Sequence, residues 1–278
     1  MPRDPTPSAA GLSLSLRSSP QQIEDLRAYL RRAEQSGLSL EKTAPAISLG
    51  IPGIDGHLPA GGLAQGALHE LVAHSHNDRG ALTGFCLAVL VRLLKAQAQT
   101  QNGEQMVLWC MQNQAMDAGD LYPPGLSHFG LDPARVLTVR AKHDSDVLWV
   151  MEEALRCRSL AAVVGEVKTA DLTSSRRLQL AAETSGITAL LLRPVASGLA
   201  PSAATTRWRL AASPSNPRGW AAELNEPGAV CWQATLFRCR GGAPGNWLME
   251  WCDETRDLAL AAPVRNRPGQ PRDTRLAG

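Results

Sequence analysis

The polar loop from His74 to Asp78 has the residue types and the position best suited to chemistry in this sequence. It follows a short apolar strand predicted at 69–73 and leads into an apolar helix predicted at 79–97. Nucleotide-binding proteins place a phosphate loop at such a strand-to-helix junction. Glycine amides there surround the phosphates, a lysine holds the terminal phosphates, and a serine or threonine holds Mg²⁺. This junction is therefore where a nucleotide site is predicted.

The residues before this strand resemble the entry to the RecA ATPase core. In that core a Ser-x-Gly segment, an aspartate and a Gly-Gly-Leu run precede the strand, the phosphate loop and the helix. The matching residues here are Ser48, Gly50, Asp55 and the run Gly61-Gly62-Leu63. The resemblance extends over residues 45–212 and implies a RecA-like α/β fold.

The phosphate loop itself differs from the RecA pattern at each signature position. In a comparison without gaps, the first glycine is replaced by Ala73, the second by Asp78, the lysine by Arg79 and the threonine by Gly80. Asp78 brings a carboxylate to the helix start, where phosphate would otherwise bind, and it would repel a triphosphate. We expect this carboxylate to cap the helix instead, with a contribution of about 0.5–2 kcal/mol. Gly80 offers no hydroxyl to a metal ion.

Two further catalytic residues of the RecA family are predicted to be missing from this sequence. The strand at 160–164 should end in an aspartate linked to Mg²⁺, but Gly165 holds this position, and Glu166 is expected to face the opposite way. The glutamate that activates water has no counterpart in the run 112–114. We therefore expect a protein that is not an enzyme and has no cofactor, with weak ATP binding through Arg79 left open. The remnant of the nucleotide site would comprise Ala73, His74, Asp78, Arg79, Gly80, Gly165 and Glu166.

Strands and helices alternate through residues 66–192, which predicts a mainly parallel sheet with helices on both faces. After Pro194 the pattern changes to strands at 207–210, 229–240 and 247–251, which predict an antiparallel C-terminal extension. The predicted organisation is a disordered N-terminus (1–19), an N-terminal helix (20–37), a RecA-like core lacking a phosphate loop (45–212), C-terminal strands with a hairpin (213–252) and a mobile tail (253–278).

The composition is that of a globular protein with no strong charge preference. Of the 278 residues, 44% are hydrophobic and 19% are charged, and the net charge of +2 favours neither nucleic acid nor membrane as a direct partner. The six cysteines form no C-x-x-C pair and lie in apolar runs, which favours buried, reduced thiols and a cytoplasmic location. No signal peptide is predicted at 1–19, and no apolar run is expected to span a membrane. His74 and His76 have only Asp78 at ligand spacing, so no metal site is predicted.

The segments that correspond to the DNA-binding loops of RecA favour no direct DNA contact. The first, 168–175, is much shorter than in that family, and the second, 194–206, contains no basic residue. Four arginines on predicted strands are candidates for DNA or partner contact, with a solvated sheet face as the favoured alternative: Arg207, Arg209, Arg238 and Arg240. Four tryptophans between 220 and 251 suit core packing or a partner interface better than a stacking platform for single-stranded bases.

Two segments narrow the resemblance to the ImuA family. They are the opening Ile47–Asp55 and the Gly-rich turn at 241–246 with the run 247–251 that follows it. Members of that family act with ImuB, a Y-family polymerase relative, and with an error-prone DnaE-type polymerase in SOS-induced translesion synthesis. The resemblance implies a cytoplasmic scaffold in damage-inducible mutagenesis whose C-terminal region contacts ImuB. RecA is a further candidate partner, and DNA would be reached through the complex.

Two other functions stay open at this point. One is a DNA-stimulated ATPase with an unorthodox nucleotide site around Arg79. The other is a SulA-like inhibitor of cell division, because that family is related in fold, although its members are usually shorter than these 278 residues.

Overall fold

A nine-stranded sheet forms the frame of the protein, in a computed structural model that describes residues 45–98, 105–112, 119–194, 200–215, 217–224 and 226–261. The strands are β1 (Ala46–Ile47), β2 (Leu63–Ala64), β3 (Leu68–Ala73), β4 (Met106–Gln112), β5 (Val136–Ala141), β6 (Leu160–Glu166), β7 (Thr188–Arg193), β8 (Thr206–Ser213), β9 (Cys231–Cys239), β10 (Gly245–Cys252) and β11 (Asp257–Leu260). The helices are α1 (Pro52–Asp55), α2 (Arg79–Ala98), α3 (Pro123–Phe129), α4 (Asp144–Ala154), α5 (Leu172–Ser185) and α6 (Trp220–Glu223). The predicted N-terminus (1–19) and N-terminal helix (20–37) lie outside the described residues.

The main sheet has the strand order β11-β10-β9-β8-β3-β7-β6-β4-β5, and β1 pairs with β2 beside it. The strands from β8 to β5 in this order run parallel. Strands β8 to β11 run antiparallel to one another. The prediction of an α/β, RecA-like, mainly parallel sheet with helices on its faces and an antiparallel C-terminal extension is therefore confirmed.

Short-range signals in the sequence explain where several helices begin and end. The carboxylate of Asp171 accepts a hydrogen bond of 2.7 Å from the backbone N–H of Ser174 and so caps the start of α5. That helix ends at Gly186, whose φ of 77° lies in the left-handed region that favours glycine. The start of α3 is set by Pro123, whose fixed φ suits a first helical position.

The strand predicted at 207–210 pairs differently from the expectation. It belongs to β8, which runs antiparallel to β9 but parallel to β3, with Trp208 opposite both Leu71 and Leu236. The chain therefore crosses over β3 on its way from β7 to β8. The antiparallel extension begins one strand later than predicted, because the pattern within a single strand does not reveal the direction of its neighbours.

The first part of the predicted mobile tail (253–278) forms a strand instead. β11 pairs with β10 at the edge of the sheet, and both carboxylate oxygens of Asp257 lie 2.7 Å from Nη1 of Arg92 on α2. This ion pair joins the edge strand to the helix that covers the sheet. The strands of 213–252 also continue the main sheet, so the described C-terminal residues share one framework with the core.

Tryptophan side chains fill much of the core on the sheet face that α2 covers. Four have no exposed surface: Trp109, Trp208, Trp232 and Trp251. Phe85 on α2 lies against two of them, with ring centroids 5.6 Å from Trp208 and 6.2 Å from Trp232. Trp232 and Trp251 therefore serve core packing, as favoured from the sequence, and do not form a stacking platform. Trp247 packs partly buried against the same core.

Two expectations from composition need correction in part. Cys157 is exposed, and Cys239 and Cys252 are partly exposed, while the other three cysteines are buried. The segment His76–Ala98 is long and apolar enough by length and composition to cross a membrane, which we had not expected of any part of the chain. In the structure, 67% of the most apolar 18-residue stretch of this segment is buried inside the protein, because α2 covers one face of the sheet.

Candidate functional site

A cavity of about 370 Å³ lies where the carboxyl ends of β4 and β6 meet the start of α2. Ligands of open α/β sheets bind at this edge, and the volume falls in the range of small-molecule sites. Most of its lining is apolar, including Leu82, Leu87, Met111, Leu126 and Phe129. The charged side chains in its lining are Arg79, Asp120 and Glu166. The predicted position of a nucleotide site is thus an actual cavity, but an apolar one.

Arg79 and Glu166 face each other in this cavity. Nη2 of Arg79 lies 3.6 Å from a carboxylate oxygen of Glu166, and Trp109 donates an indole hydrogen bond of 3.2 Å to the other oxygen. Burial raises the pKa of Glu166, and Trp109 and Arg79 offset part of that effect. The residue at the lysine position is therefore already paired with a carboxylate of the chain itself.

This pairing corrects the expectation for the end of β6. We expected Gly165 to mark the aspartate position and Glu166 to face away, but Glu166 is the residue that faces the cavity. Gly165 faces the other side of the sheet, where an added Cβ would overlap the sulfur of Met151 on α4. An acidic group is therefore present at the end of β6, and it is bound to Arg79.

Replacing Gly165 with aspartate is expected to destabilise the protein and to create no metal ligand. The new side chain would overlap Met151, and such overpacking costs about 1–3 kcal/mol. Chemical denaturation measures the loss, and Gly80→Ala is the matched control, because a Cβ at Gly80 has no atom within 4 Å. Full stability together with new Mg²⁺ binding in the Gly165→Asp variant would contradict this orientation.

Asp78 is held by the loop and by β8, not by α2. Its carboxylate accepts hydrogen bonds from the backbone N–H of Ser75 (2.8 Å), the hydroxyl of Ser75 (2.6 Å) and the backbone N–H of Ala212 (2.8 Å). The bonds with Ser75 form a capping box at the short 3-10 turn His76–Asp78, which leads directly into α2. The predicted cap at this helix start is therefore present, although it uses no donor of α2 itself. The side chain is buried and fastens the loop at 74–78 to the sheet.

The stability contributed by Asp78 is expected to depend on pH. Burial alone would raise the pKa of its carboxyl, but the hydrogen bonds from Ser75 and Ala212, with nearby His74, outweigh burial and lower the pKa. A lowered folded-state pKa stabilises the protein above the unfolded pKa of about 4, and this contribution is lost as the pH falls through the folded pKa. Asp78→Asn should therefore cost about 1–3 kcal/mol near pH 7.

The difference between wild type and Asp78→Asn should shrink below a pH of about 4. Urea denaturation at a series of pH values measures it, with Glu223→Gln as an exposed carboxylate control that changes little at any pH. A difference that stays constant down to the acid limit of folding would show that the carboxylate charge plays no part.

The residues of the RecA-like entry segment have a structural role here. Asp55 accepts hydrogen bonds from the hydroxyl of Ser48 (2.7 Å) and the backbone N–H of Leu49 (2.8 Å). Gly50, with φ of 80°, lies against the guanidinium of Arg92, where a Cβ would be 2.8 Å from a nitrogen. The motif therefore shapes the turn before α1 and leaves no free carboxylate for a ligand.

The four predicted arginines do not form one basic stripe. Arg207 is buried with 6% of its surface exposed, and its Nε lies 2.8 Å from Glu70. Arg209 is partly buried and lies over the ring of Phe237, 5.2 Å from its centroid. Arg238 and Arg240 are exposed and donate to the backbone carbonyls of Ser202 and Ala203. The candidate surface for DNA or partner contact is therefore broken at Arg207.

Arg207 is buried because it belongs to an ion cluster that sequence reasoning missed. Glu70 on β3 has no exposed surface, and its Oε1 also lies 3.0 Å from Nη1 of Arg193 at the end of β7. The available signal was a carboxylate inside the apolar strand His69–Ala73, because a buried charge requires a partner. The partners could not be chosen from the sequence, since they lie more than a hundred residues away.

The described part of the chain offers no group of metal ligands. Within the ranges that the structure describes, no three His, Cys, Asp or Glu side chains come close enough to hold an ion. Gln112 instead donates to the carboxylate of Asp144 at the start of α4, and the rest of the run 112–114 lies outside the described residues. That carboxylate also accepts from Thr169, which links the loop after β6 to α4.

Comparison with known proteins shows the family. No protein-family model matches the chain. Protein ImuA from each of two strains of Caulobacter vibrioides is 37% identical over 216 residues, which cover 74% of this chain and 83% of the relative. The chain belongs to the ImuA family. The resemblance inferred from the opening segment and the C-terminal hairpin is thereby confirmed.

In this ImuA-family protein, only some of the seven residues predicted to form a remnant of a nucleotide site line the cavity. Arg79, Gly80 and Glu166 line the cavity. Four other predicted members do not line it: Ala73 ends β3 in the core, His74 is exposed, Asp78 is bound to Ser75 and Ala212, and Gly165 faces α4. Sequence reasoning did not reveal the contribution of α3. Its residues Leu126 and Phe129 line the cavity and make that wall apolar.

Proposed function

We propose that this protein is a non-catalytic RecA-like scaffold in SOS-induced translesion synthesis. Its proposed partners are an ImuB-like Y-family polymerase homologue and an error-prone DnaE-type polymerase, with RecA as a further candidate. It would act in the cytoplasm and reach DNA through the complex. Membership of the ImuA family supports a role in damage-inducible mutagenesis. The absence of catalysis is supported by one observation, the pairing of Arg79 with Glu166.

The charges at the cavity oppose a bound triphosphate. A phosphate at the start of α2 would have to displace Glu166 from Arg79, which lie 3.6 Å apart. Asp78 adds a second carboxylate close to the same helix start, and its three hydrogen bonds hold it there. Like charges in a partly dry site repel strongly, because the effective dielectric constant is low. Most of the remaining lining is apolar.

A residual nucleotide site is the second candidate, since the cavity lies at the expected edge of the sheet and has the volume of a ligand site. Arg79 would then leave Glu166 and bind phosphate. This alternative predicts that damage-induced mutagenesis depends on Arg79.

The experiment compares the two candidates in cells that lack the chromosomal gene. The strain receives wild type, Arg79→Ala or Glu166→Gln, and the frequency of damage-induced mutants is counted. The scaffold predicts wild-type frequencies for both variants, whereas an empty vector gives the low frequency of the deletion strain. A loss of mutagenesis by Arg79→Ala at normal protein level and normal thermal stability would favour the nucleotide-dependent alternative.

A test of the proposed contact between the C-terminal region and the ImuB-like partner requires a deletion that keeps β11. Removing 253–278 would also remove β11, which pairs with β10 and holds Arg92. A chain that ends after Ala261 keeps this strand and removes only the residues beyond it. Reduced capture of the ImuB-like partner by that shortened chain would support the contact, and unchanged capture would remove the proposed role of 262–278.

A further inference from the structure

The cavity at the start of α2 combines a few polar groups with a mainly apolar wall. Arg79 and Thr83 line it from α2, one helical turn apart on the same face, and Leu87 follows one turn later. The polar groups of α2 therefore lie near the helix start, and its apolar contribution lies further along the helix. Met111 and Phe129 extend the apolar wall. Small-molecule sites typically have this composition, in which a few polar groups orient a ligand that is mostly enclosed by apolar side chains.

The charges in the cavity lining are balanced. The charged residues of the lining are Arg79, Asp120 and Glu166. Glu166 is paired with Arg79, and Asp120 is paired with Arg140, which lies outside the lining. Asp78 also lies outside it, and its carboxylate already accepts three hydrogen bonds. A charged ligand would have to break one of the ion pairs or enter without a counter-charge, and burying an unpaired charge is costly. The balance therefore favours an uncharged ligand.

The pair of Arg79 and Glu166 leaves hydrogen-bonding capacity for such a ligand. Its nitrogen and oxygen lie 3.6 Å apart, whereas an N–H···O hydrogen bond is usually about 2.9–3.0 Å long. Among the described residues, Glu166 is the only partner of the Arg79 guanidinium, and Trp109 donates to the other carboxylate oxygen. A donor and an acceptor, both on mostly buried side chains, are thus available next to each other.

We propose that this cavity binds a small, uncharged ligand with a flat apolar body and a carboxamide group. The C=O of the carboxamide would accept a hydrogen bond from Arg79, and its N–H would donate one to Glu166. The flat apolar body would pack beside Met111 and Phe129. The inference goes beyond the scaffold role, which requires no bound ligand.

Simpler ligands fit the same cavity less well. A carboxylate or phosphate would face Glu166, and a cation would face Arg79, so each would meet a like charge beside its counter-charge. A purely apolar ligand would displace water from both side chains without replacing the hydrogen bonds that the water made, which costs free energy. A carboxamide avoids both penalties, because it is uncharged and carries one acceptor and one donor side by side.

The test uses four compounds that share a naphthalene ring and differ in the substituent at one position: carboxamide, carboxylate, amidinium or methyl. Ligand-observed NMR with the full chain measures their affinities. Wild type is expected to bind the carboxamide about tenfold or more tightly than each of the other three, since two hydrogen bonds in a mostly dry site account for such a ratio.

Two variants should change this preference in opposite directions. Glu166→Gln leaves the Arg79 guanidinium without a counter-charge, so the carboxylate should become the preferred compound. Arg79→Met leaves the Glu166 carboxylate alone, so the amidinium should become the preferred compound. A role of the pair in stability alone would produce no such exchange of preference.

A third variant tests the location of the bound compound. Gly80 lines the cavity, and a Cβ there has no atom within 4 Å, so Gly80→Leu should fill the space and abolish binding. Gly53→Leu is the matched control, because a Cβ at Gly53 also has no atom within 4 Å but Gly53 does not line the cavity. This control should bind as wild type does.

The proposal would be overturned if wild type bound none of the four compounds. It would also be overturned by equal binding of the methyl compound, which would indicate an apolar cavity without polar recognition, or by equal binding of the carboxylate. Binding that persists in Gly80→Leu would place the ligand elsewhere on the chain. None of these results bears on the scaffold role, which the mutagenesis assay tests separately.

Discussion

Replacing Glu70 with alanine is expected to lower the free energy of unfolding by about 3–5 kcal/mol. The side chain is fully buried and lies between Arg193 and Arg207, which have 3% and 6% of their surface exposed. Removing the carboxylate leaves two guanidinium groups in the core without a counter-charge, since the remaining bonds of Arg193 go to the neutral carbonyl of Lys168. A loss of this size is a large part of the 5–15 kcal/mol that typically stabilises a domain.

Urea denaturation of Glu70→Ala measures this loss, and Glu153→Ala is its control. Glu153 also pairs with an arginine, Arg156, at 2.7 Å, but both side chains are exposed. Exposed ion pairs contribute about 0–1 kcal/mol, so the control should be nearly neutral. Similar losses in the two variants would mean that Glu70 is not at the centre of a buried cluster.

Replacing Trp232 with alanine should cost about 3–5 kcal/mol, the usual range for a buried tryptophan. Its indole ring lies on β9 but packs against Phe85 of α2 and Phe129 of α3, with centroids 6.2 and 6.4 Å apart. The C-terminal strands and the parallel part of the sheet therefore share this core. The variant should still unfold in one cooperative transition at a lower midpoint.

Thermal and urea unfolding, followed by both tryptophan fluorescence and circular dichroism, test the Trp232→Ala prediction. Trp149→Ala is the matched control, since Trp149 is 60% exposed and its loss should change stability by no more than about 0.5 kcal/mol. Two separate transitions, with the first alone shifted in Trp232→Ala, would indicate that the strands from β9 onward fold as an independent unit.

The order of the elements could be read from the sequence because its signals are local. The apolar run 160–164 marks a strand buried on both faces, and Gly186 marks the end of α5 through its left-handed backbone. The family could be predicted from the opening Ile47–Asp55 and the C-terminal hairpin. Each of these signals lies within a few residues of the feature that it predicts.

Features that depend on distant contacts could not be predicted in the same way. Whether Gly165 or Glu166 faces the cavity depends on Met151, which fills the space beside Gly165. Arg207 looked like a surface residue because its partner, Glu70, is 137 residues away. Alternation along one strand fixes which residues share a face, but it does not fix which face is covered and by what.

The contrast between local signals and distant contacts also explains which features of the candidate site could be predicted from the sequence. The missing lysine and threonine were evident from Arg79 and Gly80 alone. The sequence did not show that Glu166 pairs with Arg79, nor that α3 closes an apolar wall over the cavity. The region that corresponds to the RecA nucleotide site therefore differs from it in two ways: the residue types at the phosphate-binding positions are different, and Arg79 is paired with Glu166 of the same chain.

Isothermal titration of the full chain with Mg·ATP, with and without single-stranded DNA, tests the central claim most directly. The account predicts no measurable binding, because Arg79 is paired with Glu166 and Asp78 holds a carboxylate near the start of α2. Micromolar binding that disappears in Arg79→Ala would contradict it, since that result would require Arg79 to leave Glu166 and hold a phosphate.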